Sequence, residues 1–157
     1  MKILLIAVGK TGTPYIREGI DAYMRRLIHY IPADTMIIPD IKGGKSMTAD
    51  RQKELEGTAI LNEIKGGDYV VLLDERGKEL TSRDFAGFID RKSVTVAKRL
   101  IFIIGGPYGF SKEVYARADE KLSLSRMTFN HEMVRLFFVE QLYRAMTILK
   151  GEPYHHD

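Results

Sequence analysis

A chain of 157 residues with 45% apolar and 29% charged side chains can bury one sizeable core, and its composition excludes a disordered or low-complexity protein. It has no cysteine, which excludes disulfides and thiolate metal sites, and its apolar runs of five or six residues fall short of a membrane span. A net charge of +3 with a pI near 9.0 permits a polyanionic partner without demanding one. Residues 1–30 hold five Lys/Arg against two acids, so Lys10, Arg17, Arg25 and Arg26 are the candidates for a basic patch, or equally for a solvated helix face.

Lys2 to Val8 reads as a buried strand closed by Gly9, and it begins too soon after Met1 for a secretory leader, so a cytoplasmic location is expected. Ile16, Ile20, Tyr23 and Leu27 then recur at helical spacing and define one apolar face. Thr35 to Ile38 is a second strand between Pro32 and Pro39. Asp40 to Thr48, with two glycines and two lysines, is a loop and the segment expected to be most mobile. A helix from about Ala49 to Ile64 stops at Gly66-Gly67. Tyr69 to Leu73 is a third strand ending in the charged turn Asp74-Glu75-Arg76-Gly77, and Thr81 or Ser82 caps a helix rich in Phe85, Phe88 and Ile89.

Leu100 to Ile104 is five consecutive apolar residues, which suits a parallel strand buried on both faces. Gly105, Gly106, Pro107 and Gly109 end it in a turn where backbone can approach a ligand without Cβ obstruction. Ser111 caps a short helix, Lys112 to Ala118, before a second strand-like run, Leu122 to Ser125. Arg126 to Phe129 then shows no period. Two strand ends that run into irregular segments wall one pocket, or else they are two ordinary βα turns. From Met133 to Leu149, twelve of seventeen residues are apolar or aromatic, with Glu140, Arg144 and Thr147 on the one polar strip. Such a helix needs cover on more than one side, which points to a two-fold dimer, with burial inside one chain as the alternative. Strand and helix alternate throughout, predicting an α/β fold with a mostly parallel sheet and flanking helices in a single domain, residues 1–157.

Several familiar motifs fail on spacing. Gly44-Lys45-Ser46 and Gly9-Lys10-Thr11 lack the glycine five positions earlier that a phosphate-cradling loop needs, having Pro39 and Leu4 there. The glycines at 105, 106 and 109 do not fit the dinucleotide fingerprint. His131-Glu132 begins like a zinc-protease helix, but Arg135 stands where the second histidine belongs, and no metal is expected.

Four segments do have a counterpart: Ile103 to Gly109, Leu122 to His131, Glu140 to Ala145, and Gly151 to His155, together with Ala7 to Lys10. In order and spacing they resemble the ribosomal RNA large subunit methyltransferase H family over the whole chain. The resemblance implies the SPOUT class, an α/β fold whose C-terminal segment threads a trefoil knot, acting as a homodimer that binds S-adenosylmethionine. It further implies methylation of N3 of a pseudouridine in large-subunit ribosomal RNA on the assembled ribosome. It places the cofactor against Leu73, Gly105, Leu124, Ser125, Arg126, Met127, Thr128 and Phe129. Tyr154 and His155 in the tail are the main candidates for the RNA side, with His131 and Arg135 as alternatives. The general base stays open among His155, His156, His131 and water. Two positions depart from the family pattern, Asn130 where proline is usual and His156 where arginine often follows Tyr-His. The competing reading is a non-catalytic dimer that binds RNA or ribosomes.

Overall fold

The structure is a computed structural model that describes residues 1–41 and 46–157; the core of the loop expected between Asp40 and Thr48, and its mobility, lie outside the described residues. Five strands form the sheet: β1 (Lys2–Val8), β2 (Ala33–Ile38), β3 (Tyr69–Glu79), β4 (Arg99–Ile104) and β5 (Glu120–Ser123). All pair in parallel in the order β2-β1-β4-β3-β5. Between and after them run α1 (Pro14–Leu27), α2 (Ala49–Glu63), α3 (Ser82–Thr95), α4 (Lys112–Arg117) and α5 (Met133–Leu149).

The apolar strand runs divide between two faces because successive side chains point to opposite sides. Ile3, Leu5, Ala7, Leu100, Phe102 and Ile104 pack with Phe85, Phe88, Phe138 and Leu142 under α1, α3 and α5. Leu4, Ile6, Val8, Ile101 and Ile103 pack with Ile60, Phe110 and Val114 under α2 and α4. The helix starts follow the sequence: Thr48, Thr81 and Ser111 each accept a hydrogen bond from the backbone N–H three residues on, so the orphan donors of the first turn are met. No helix among the described residues is long and apolar enough to cross a membrane.

Two local expectations are corrected. The charged segment Asp74 to Gly77 is not a terminal turn, because β3 continues through it to Glu79. Both Leu73 and Lys78 pair with Leu122, so the intervening residues bulge out and the strand rejoins β5. Gly77 permits this: a Cβ there would come within 2.6 Å of the Leu122 backbone. Thr147, expected on the polar strip of α5, is fully buried and donates its hydroxyl to the Arg144 carbonyl at 2.7 Å. The strip is Glu140 with Arg144, paired at 2.6 Å.

Candidate active site

The carboxyl ends of β4 and β5 and the bulge that follows Leu73 in β3 open onto one cleft of about 920 Å³. Leu73, the last residue of β3 before its bulge, stands on one side, and Asp74 beside it accepts from the Tyr115 hydroxyl and from the Arg76 N–H at 2.8 Å. Burial and the Asp74 carboxylate push the Tyr115 phenol up to about 12, so it remains a neutral donor. From β4 the chain turns through Gly105 to Gly109, closed by the Gly109 N–H on the Gly106 carbonyl at 3.1 Å, with Gly109 at φ +82°. Neither of the first two glycines faces empty space in its side-chain direction. A Cβ on Gly105 would stand 3.0 Å from the Phe110 ring, and one on Gly106 would stand 2.7 Å from Glu56 Oε2.

The third wall follows β5. Ser123 Oγ donates to the Ser125 carbonyl at 2.9 Å, and Ser125 Oγ accepts from the Met127 N–H at 3.0 Å, which shapes an irregular turn instead of a strand. Leu124, Ser125, Met127, Thr128 and Phe129 all line the cleft, and the Phe129 ring lies 5.0 Å from that of Phe137 on α5. Arg126 does not line it: its side chain points to solvent near Glu79. The segment is tied down where α5 begins. Asn130 Oδ1 accepts from the Glu132 N–H at 2.8 Å, and Glu132 in turn accepts from the Thr13 N–H at 2.9 Å. That second bond holds the Glu132 carboxyl below its usual range. Asparagine at 130 thus closes a side-chain turn on the Glu132 N–H just ahead of α5. Among the described residues no group of three or more His, Asp or Glu suits a metal ion.

The sequence matches, over residues 1–155, the family described as "Predicted SPOUT methyltransferase". The chain belongs to the SPOUT methyltransferase family. It is 57% identical over the full length of both chains to the Parabacteroides distasonis protein named ribosomal RNA large subunit methyltransferase H. It is 55% identical, over 99% of each chain, to the protein of that name from Christiangramia forsetii. A solved structure of a probable methyltransferase from Bordetella pertussis shares the fold, with a TM-score of 0.57, 12% identity, and coverage of 92% of this chain and 94% of that one.

For a SPOUT methyltransferase the remaining candidates are divided in position. His131 is exposed and lines the cleft. Arg135 does not: it is 2% exposed, and its guanidinium donates to the Val8 and Gly9 carbonyls at 2.7 Å each and to Thr11 Oγ1 at 3.0 Å. It clasps the end of β1 to α5. Tyr154 and His155 lie away from the cleft of their own chain, folded back along α5. Tyr154 donates to Glu140 Oε1 at 3.0 Å and sits 3.2 Å from the Tyr23 hydroxyl, and burial with these neighbours raises its pKa. His155 Nδ1 meets Arg144 Nη1 at 3.0 Å and its Nε2 meets Asp157 at 3.0 Å, while Asp157 also receives Arg83. His156 is exposed. Sequence patterns did not single out Asp74, Phe110 or Tyr115 as cleft residues. An acid just past a buried strand was a usable signal for Asp74, whereas nothing local places the other two.

Proposed function

We propose that this chain transfers a methyl group from S-adenosylmethionine to N3 of a pseudouridine in large-subunit ribosomal RNA, on the assembled ribosome and as a homodimer. The names of its full-length relatives support the RNA substrate. The observation that carries the reading is the convergence of two strand ends, the β3 bulge and one irregular segment on a single cleft. Its size falls within the range of small-molecule sites, and its walls mix apolar side chains with backbone groups freed from the sheet. That set fits an adenosyl group and an amino-acid moiety. Leu73, Gly105 and Leu124 to Phe129 would hold the cofactor, with Arg126 contributing backbone only.

When bound, S-adenosylmethionine supplies an activated methyl on a sulfonium, so the protein's tasks are alignment and removal of the N3 proton. Pro107 and the exposed Tyr108 and Met127 stand at the mouth, where a nucleoside would enter, and His131 is the imidazole on that rim. The tail carries the second set of groups. Since Tyr154 and His155 do not reach their own cleft, they complete the site of the partner protomer. The exposed Phe137 and Leu149 of α5 and Tyr15 and Ile28 near α1 supply apolar surface for that association. The knot belongs to this reading as well. The chain leaves edge strand β5, passes along the cleft and enters α5 beside β1, a path on which threading through the preceding loops would form a trefoil in one domain of 157 residues. A ribosomal substrate makes the cytoplasm the place of action.

Calorimetry with S-adenosylhomocysteine tests the cofactor, and methyl incorporation into ribosomes lacking the modification tests the reaction. Deleting residues 154–157 should leave cofactor affinity within about threefold and lower methylation by orders of magnitude, as expected for groups that act on the reacting substrate. Mixing that truncation with Gly105→Val protomers should restore activity if tail and cleft come from different chains. Mixed dimers no more active than either parent would overturn the shared site.

A further inference from the structure

The cleft wall rests on a contact that the reading above leaves unused. Glu56 of α2 is 2% exposed, its Oε1 accepts Gln52 Nε2 at 3.1 Å, and its Oε2 has no hydrogen-bond partner among the described residues. Its two carboxyl oxygens stand 2.7 and 2.9 Å from where a Cβ of Gly106 would be. The side-chain direction of Gly106 is therefore occupied by a protein carboxyl, which would have to move for any larger residue at 106. Gly106 itself lines the cleft. An acid buried against backbone costs free energy that packing alone does not return. Burial raises the pKa of this carboxyl, with the Gln52 hydrogen bond opposing and Asp40 adding to the shift.

We propose that Glu56 is a positioning residue for the cofactor: by filling the side-chain direction of Gly106 it fixes the Gly105–Gly106 backbone at the cleft wall and so sets the affinity for S-adenosylmethionine. This rests on the cofactor reading above and extends it to a residue outside the cleft. A merely structural glutamate in α2 would affect folding without any special dependence on position 106. A positioning glutamate is coupled to it.

The test is calorimetry with S-adenosylhomocysteine on the full-length wild type, Glu56→Gln, Glu56→Asp, Gly106→Ala and the Glu56→Asp/Gly106→Ala double variant, with thermal unfolding measured alongside. Glutamine keeps the shape and should bind within about threefold of wild type. Aspartate withdraws the carboxyl by one methylene and should bind about tenfold more weakly. Gly106→Ala, whose methyl meets the carboxyl, should lose about tenfold or more. In the double variant the methyl enters the space that aspartate vacates, so the losses should fall several-fold short of multiplying. Wild-type affinity in Glu56→Asp, or losses that multiply, would overturn the proposal. If Gly106→Ala does not fold, the comparison of glutamine with aspartate decides alone. A wild type that binds no S-adenosylhomocysteine would instead overturn the cofactor reading and leave no affinity to position.

Discussion

Asp68 and Arg135 are both buried charged residues, and they stand at opposite ends of the sheet. Asp68, before β3, receives Arg99 Nε at 2.9 Å, Arg99 Nη2 at 2.6 Å and the Lys65 N–H at 2.7 Å. Arg99 also donates to the Glu63 carbonyl, and Arg117 to the carbonyl of Asp68. Charge there is answered by charge, and the amino end of the sheet is closed. Arg135 at the carboxyl end is bonded to two backbone carbonyls and a hydroxyl, with Nε unpartnered among the described residues. Glu56, near the same end, is likewise buried with an unused oxygen. The first arrangement holds strands together, whereas the second spends buried polar groups on holding irregular backbone in one shape. Incompletely paired buried polar groups stand at both ends among the described residues, Glu56 and Arg135 towards the carboxyl end and Glu120 at the start of β5.

Removing Arg135 should break this contrast most severely. Arg135→Met keeps the volume but leaves the Val8 and Gly9 carbonyls without their donor, which should cost about 3 kcal/mol of unfolding free energy in urea. Arg135→Lys should recover only part of it, because one ammonium does not span three acceptors in a fixed fork. Unchanged stability in both variants would show that the clasp contributes nothing. Gly105→Val comes next and acts on binding. Its side chain would displace the Phe110 ring and the turn, so S-adenosylhomocysteine affinity should fall about a hundredfold, or about 2.7 kcal/mol. Binding as tight as wild type would show that this turn is not part of the cofactor site.

At the closed end the effect is on stability alone. Asp68→Asn should cost about 2 kcal/mol at pH 7, since it leaves Arg99 partly buried without its carboxylate, and cofactor affinity should not change. The sign with pH is fixed by the lowered pKa of Asp68, whose first cause is the Arg99 hydrogen bond. Stability from this group is fully present above the unfolded aspartate value of about 3.9 and fades as pH falls through the lower folded value. Unfolding curves of wild type and variant should therefore converge in acid. A difference that persisted undiminished at pH 2 would assign it to something other than ionisation.

The elements were legible because most strands are continuous apolar runs and α1 carries a clean helical period. The bounds of α5 follow from the apolar run between Glu132 and Lys150. The cleft was legible in part: Gly105 and the aperiodic Arg126 to Phe129 announce irregular backbone after buried strands, whereas Leu124 and Ser125 read as strand and lie beyond the end of β5. What stayed hidden depended on partners distant in sequence. The continuation of β3 past Leu73 requires Leu122 to pair twice, and no local pattern in Asp74 to Gly77 shows it. Glu56 lies in a helix of which only the bounds were legible, and its burial depends on the distant turn at Gly106. The placement of Tyr154 and His155 along α5 follows from Tyr23, Glu140 and Arg144, which belong to two different helices.

Arg126 gives the smallest and most discriminating expectation. The family resemblance places it in the cofactor segment, between Ser125 and Met127, yet its side chain is 90% exposed, lies 3.6 Å from Glu79 and does not line the cleft. If it contributes only backbone to the cofactor site, Arg126→Ala should bind S-adenosylhomocysteine within about twofold of wild type, since an exposed pair of this kind is worth little. Its guanidinium, only loosely paired with Glu79, is exposed next to the cleft segment and is suited to a phosphate of ribosomal RNA. The same variant should then raise the KM for ribosomes a few-fold and make methylation less sensitive to added salt, because one fewer phosphate is neutralised. A tenfold loss of S-adenosylhomocysteine affinity with an unchanged KM for ribosomes would reverse the assignment and return the Arg126 side chain to the cofactor.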